Sequence, residues 1–286
     1  MKKLLLLSLI AFAMVAFTSC SDDEDVVTPL ADPAEFTNAD GITGGIMYDK
    51  FWSIEAGFNQ SDPNLAKFNQ SADFFRCKQC HAWDYLGNAG SYINRGPKTT
   101  RPNIASGNIL ELAKSKTAQE LFDAMKKSTG RRDIAYDLST YNPTSNNTEG
   151  DKMPDYSQLL TDAQIWDIVK YLKTEAIDVS QIYDGTYTGT YPTGSASYSN
   201  IGKDGNATNG ATYYAQRCAG CHGADGTAFL VENLTVGKFT RSKPNEVQHK
   251  VKFGQLGTSM TATNGLTLTN LKDLYKALAD TVAFPD

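Results

Sequence analysis

A Cys-x-x-Cys-His pentapeptide occurs twice, as Cys77-Lys78-Gln79-Cys80-His81 and as Cys218-Ala219-Gly220-Cys221-His222. No other feature limits the possible folds so strongly. The motif reads as an attachment site for haem c. Each thiol can add across one vinyl group of the porphyrin, and the adjoining imidazole is then held against iron as the proximal ligand. Two copies predict two haem c groups with their iron, and two cores that each close around one of them. The motifs lie 141 residues apart, from Cys77 to Cys218, which reads as a repeat of about that length. A disulfide framework does not need a histidine after each pair. A zinc site built from two such pairs wants them separated by about 15–20 residues.

The chain has five cysteines, and Cys20 is the one outside the motifs. Before it stand Lys2-Lys3, an apolar run from Leu4 to Phe17, and Thr18-Ser19. A basic start, a short apolar stretch and small residues make a signal peptide over residues 1–19. The run is too short for a comfortable membrane span. A cysteine directly after the cut resembles a bacterial lipoprotein signal, with Cys20 as the lipidated first residue and an N-terminal lipid anchor in the membrane. An ordinary secretory signal with an incidental cysteine is the plainer alternative. Both agree with the motifs, because haem c is attached outside the cytoplasm. The expected location is the periplasm or cell surface, with Ser21 favouring the outer membrane.

Charge separates the parts of the chain. Residues 20–40 hold seven acids and no base, within a net charge of −5. A run such as Ser21-Asp22-Asp23-Glu24-Asp25 reads as a solvated, flexible tether. It also resembles an acidic surface-export signal of some bacterial lipoproteins. Nothing has the strongly basic face that nucleic-acid binding requires. The length suits two domains of about 100–150 residues, expected at 41–180 and 208–286. Between them, residues 181–207 are rich in Gly, Thr, Ser, Tyr and Asn and read as a linker.

Helical periodicity dominates both units. In the first, Asn69 to Cys80 is expected as the helix that delivers the motif, followed by a short helix over Ile109–Lys114. Thr117-x-x-Glu120 and Thr161-x-x-Gln164 read as capping boxes opening two more. Ile165, Ile168, Val169 and Leu172 recur on one face, with Trp166 and Tyr171 as packing residues beside them. In the second, Asn206 or Asn209 caps a helix into Cys218. Pro244 suits the first turn of a helix through Lys252. A last helix begins near Thr267 or Thr269 and buries Leu271, Leu274, Tyr275 and Leu278. The expected fold class is all-α, with two tandem helical domains each organised around a covalently bound haem.

These features resemble class I c-type cytochromes, twice in tandem, over nearly all of residues 41–286. Gly44-Gly45-Ile46-Met47-Tyr48-Asp49 and His81-Ala82-Trp83-Asp84-Tyr85 also look like a subset of bacterial dihaem cytochromes, a wider group in which some members oxidise thiosulfate. The resemblance implies a methionine as the sixth iron ligand, in the loop before the last helix of each unit. Met153 stands there, and Pro154 keeps it extended. Met260 holds the matching place, with Thr261 where the family has proline. Met125 reads as core and Met47 as a weak competitor. Asn, Lys or water stay open as other distal partners. His249 is the third histidine, and it reads as a surface residue or a neighbour of a haem propionate.

The function this implies is electron transfer between redox protein partners through two His/Met-ligated haems. The alternatives are a haem subunit of a larger complex, or an enzyme of the thiosulfate dehydrogenase or peroxidase type. A thiosulfate dehydrogenase is expected to want a spare cysteine ligand, and a dihaem peroxidase a further histidine. A basic excess in the second unit (Lys238, Arg241, Lys243, Lys250 and Lys252) offers a face to an acidic partner, or is simply solvated.

Overall fold

Each half of the chain is built on a pair of helices that cross at a glycine. The computed structural model describes residues 31–54, 65, 68–69, 72–94, 107–127, 153–256, 258–263 and 265–286. The signal segment and Cys20 lie outside these residues. In chain order the first half holds α1 (Ala34–Asn38), α2 (Gly41–Lys50), α3 (Cys77–His81), α4 (Ile109–Ser115), α5 (Ala118–Met125) and α6 (Asp162–Lys170). α6 runs on as a single π turn over Tyr171–Glu175. A hairpin follows, β1 (Asp184–Thr188) paired antiparallel with β2 (Ser195–Ser199), with Asp184 opposite Ser199. The second half holds α7 (Ala207–Arg217), α8 (Ala219–His222), α9 (Val236–Ser242), α10 (Pro244–Phe253) and α11 (Leu268–Leu278).

Capping sets where these helices begin. Thr117, Thr161 and Thr267 each close a reciprocal capping box, which satisfies two otherwise orphaned backbone donors. Asp40 caps α2 and Asn206 caps α7. Each cap is also tied to the last helix of its own half. The Asp40 amide donates to Asp167 Oδ1 at 2.7 Å, and the Asn206 amide donates to Asp273 Oδ1 at 2.7 Å. Four residues past each cap comes the crossing. A Cβ on Gly44 would collide with the Asp167 carbonyl, and one on Gly210 with the Asp273 carbonyl. Only glycine lets backbone approach backbone this closely. The two halves therefore share one construction, α2 on α6 and α7 on α11.

Several expectations need correction. No helix runs from Asn69 to Cys80: Ala72–Phe75 is a 3-10 turn, and Arg76 is extended (φ −81°, ψ 127°) before α3 begins. Arg76 is held there by the Asp49 carboxylate, by the Asp49 carbonyl at 2.7 Å and by Asp73 at 2.7 Å. The long helix that packs against α6 in that half is α2, well upstream. Ala34–Asn38 of the acidic segment form α1, and Phe36 on it is buried edge-on against Trp166. The segment 181–207 contains the hairpin, whose Tyr187 hydroxyl donates to Asp84 at 3.0 Å.

The largest correction is His249, which is 1% exposed rather than on the surface. Residues 32–286 form one unit, and His249 lies where the halves meet. Its Nε2 bonds the Gly45 carbonyl at 2.8 Å. Its ring lies 4.3 Å from Trp83 and 4.8 Å from Phe253, with Tyr48 and Tyr171 beyond. Burial pulls its pKa down to about 4. Asp49 opposes that shift, and Lys250 and Lys78 add to it. An unfolded chain restores the ordinary value of about 6.5. As pH falls from about 6.5 towards 4, the unfolded chain takes a proton that the folded one refuses. Stability present at neutral pH is then lost, by roughly 3 kcal/mol at pH 4. Denaturant midpoints at pH 7 and 4.5 should fall less in His249→Phe than in the unaltered protein, and an equal fall in both contradicts this role.

Candidate haem sites

The second motif straddles a helix junction. Cys218 closes α7 and opens α8, and its amide donates to the Tyr214 carbonyl at 2.8 Å. The Gly223 turn (φ +81°) then releases the chain, and its carbonyl accepts from the Tyr214 hydroxyl at 2.9 Å. Cys218 and His222 face an apolar pocket of about 60 Å³. Val231, Val236, Phe239, Val247, Val251 and Leu274 supply much of its wall, and Met260 lines it too. An imidazole, a thiol and a thioether thus converge on an apolar slot. His222 Nδ1 is buried with no hydrogen-bond partner among the described residues. Burial, then the neighbouring Cys221, pushes the Cys218 thiol up to about 11. Cys221 is exposed.

Met260 reaches this pocket through a glycine. α10 ends at Gly254, whose φ of +80° turns the chain back. The Gln255 amide donates to the Met260 carbonyl at 2.8 Å, and the Met260 amide donates to the Thr258 hydroxyl at 3.1 Å. The donor set and the apolar wall fit haem c. His222 and Met260 would hold the iron, and Cys218 and Cys221 the porphyrin edge. When bound, the haem supplies a one-electron Fe(III)/Fe(II) couple.

The first motif occupies α3 entire. Burial, then Cys80, pushes the Cys77 thiol up to about 12, and burial pulls His81 down to about 4. Cys77 packs against a cluster containing Tyr48, Ala82, Trp83, Tyr85 and Tyr171. Met153 is partly buried against a different cluster, with Met47, Phe51 and Met125 among its members. Its loop is tied to the end of α5: Lys127 Nζ donates to the Met153 carbonyl, and the Lys127 amide donates to Asp155 at 3.1 Å. Met47, the competitor, is a core residue here, as is Met125. The second motif and its methionine are brought to one pocket. Cys77 of the first motif and Met153 pack against two different clusters.

The five basic residues named in the second half each pair with an acid of this chain. Lys238 and Arg241 both pair with Asp286, at 2.7 and 2.6 Å, and Lys243 pairs with Glu232. Lys250 pairs with Glu246 at 3.0 Å and Lys252 with Glu175 at 2.9 Å. Sequence reasoning did not anticipate Gln248 as a structural neighbour of the sites, and it left His249 either on the surface or beside a haem propionate. The signal present was the apolar side chain at every turn of α10 flanking them, Val247, Val251 and Phe253.

An alanine at position 254 would need the same positive φ, with its Cβ 2.6 Å from the Met260 carbonyl. That conformation alone costs about 1–2 kcal/mol. Gly220 meets nothing within 4 Å, so Gly220→Ala should stay within about 0.5 kcal/mol. Denaturant unfolding of both variants checks this difference, and equal stabilities would contradict the tight approach at Gly254.

Comparison with known protein families gives two matches. A cytochrome c family model matches residues 69–176, and the model described as cytochrome c oxidase, cbb3-type, subunit III matches residues 205–276. No curated protein and no solved structure matches the chain. Each matched stretch contains one Cys-x-x-Cys-His motif and the methionine that follows it. The chain carries two cytochrome c family domains in tandem.

Proposed function

We propose that this protein is a dihaem electron carrier working outside the cytoplasm, with both irons held between histidine and methionine. Cytochrome c domains imply haem-based electron transfer; the haem count, the ligands and the location are the added reading. The observation that carries it is the convergence of Cys218, His222 and Met260 on one apolar pocket. His81 with Met153 is the corresponding pair in the first domain, around Cys77 and Cys80. Methionine opposite histidine raises the reduction potential and leaves no iron position open. The protein's own task is then to keep water out and hold both ligands still, so that the iron changes charge with little rearrangement.

The third histidine supports the same reading. His249 is engaged by the Gly45 carbonyl and does not line the second pocket, so no spare imidazole stands there. The exported, Cys20-anchored form fits a carrier that meets redox protein partners at a membrane surface. Among the described residues no helix is long and apolar enough to cross a membrane, so the anchor would be the lipid on Cys20. Contact with such partners is expected to be small and transient. A second reading, a haem subunit fixed in an oxidase complex, is favoured by the match of residues 205–276 to a cbb3-type subunit III model.

Met153→Ala and Met260→Ala test the ligands. Each should lower the reduction potential of one haem, leave the other close to its original value, and let the reduced protein bind carbon monoxide at the altered site. Unchanged potentials in either variant would remove that methionine from the ligand set.

A further inference from the structure

α10 is used on both of its faces. Val247, Lys250 and Val251, spaced three and four apart, line the second pocket. Gln248, His249 and Phe253 are 0, 1 and 2% exposed and lie against the first half. Gln248 Nε2 donates to the Trp83 carbonyl at 3.0 Å, and the His249 ring sits 4.3 Å from the Trp83 ring. Lys252 Nζ donates to the Glu175 carbonyl at 2.8 Å. A Cβ on Gly45 would collide with the Phe253 ring, so the halves meet without a gap there.

The two ends of this contact are the two sites. Trp83 is two residues after His81. α10 continues through Gly254 into the loop of Met260, and the Thr263 amide beyond it returns to the Lys252 carbonyl at 3.0 Å. One rigid helix therefore joins the loop behind the proximal histidine of the first site to the loop bearing the methionine of the second. A packed contact of this kind passes on a displacement rather than absorbing it.

We propose that Trp83, Gln248 and His249 are positioning residues that couple the two haem sites, with α10 as the lever that sets Met260. The proposal rests on the reading of Met260 as a distal ligand. A change that moves the His81–Trp83 loop moves α10, and with it the thioether. By linkage, loss of Met260 from its place acts back on the first site to the same extent. Coupling between sites in proteins commonly amounts to about 5- to 150-fold.

The test uses the full, haem-loaded chain with Trp83→Leu. Hydrogen exchange at the Gln255 and Thr263 amides should speed up by roughly 5- to 150-fold, and the reduction potential of the second haem, identified with Met260→Ala, should fall. Trp83→Phe should restore both. A folded Trp83→Leu protein with unchanged exchange at 255 and 263 and an unchanged second potential overturns the proposal. If Trp83→Leu does not fold, Gln248→Met is read by the same two measurements with the same two outcomes. The ligand reading fails separately: Met260→Ala would then leave the second potential in place, while the exchange rates still report whether α10 links the loops.

Discussion

Backbone laid on backbone at Gly44 and Gly210 is the contact on which both halves depend. At each crossing α2 or α7 meets the carbonyl of an aspartate on the last helix, Asp167 or Asp273, and that aspartate's carboxylate holds the amide of the crossing helix's own cap. A larger residue would lift the helices apart by the width of a methyl group. The last helix would then no longer close over its site, and in the second half Leu274 and Leu278 would leave the pocket wall. The same two-point fastening appears twice in one chain, although the distance from crossing to motif differs. Thirty-three positions separate Gly44 from Cys77, and eight separate Gly210 from Cys218.

The halves are joined by a second set of close contacts. Phe253 lies over Gly45, His249 bonds the Gly45 carbonyl, and Gln248 bonds the Trp83 carbonyl. A hydrogen-bonded pair of tyrosines, Tyr85 and Tyr171 at 2.6 Å, lies in the same aromatic layer. Tyr171 begins the π turn that extends α6, and such turns often mark functional places in helices. Buried polar groups that find partners specify one arrangement, because any slip leaves them unpaired at a cost of about 1–3 kcal/mol each. A neutral, buried histidine at the centre makes the junction sensitive to acid.

Local signals made much of this legible in the sequence. The haem motifs announce themselves by residue type and spacing. Thr117 and Thr161 were readable as capping boxes, and Pro244 as a first-turn residue, because caps depend only on neighbours within one turn. Features set by distant contacts were not readable. Gly44 and Gly45 carry no local signal of their role: each is small because another backbone or ring needs its space. Arg76 ends the expected approach helix through Asp49, 27 positions away. The hairpin at 184–199 shows short polar strands with mostly exposed faces, so it lacks the apolar alternation that marks a strand. His249 stands beside Lys250 and Lys252 and reads as surface or as a neighbour of a haem propionate. Only the partner half, 204 positions earlier in the chain, buries it.

The account stands most directly on the number of haem groups the chain holds covalently. Intact mass of the protein, matured in cells that attach haem c, measures this without reference to activity. Two added haem groups are predicted for the unaltered chain, and one for the Cys218→Ala, Cys221→Ala double variant. One haem or none on the unaltered chain would contradict the assignment of both motifs as attachment sites.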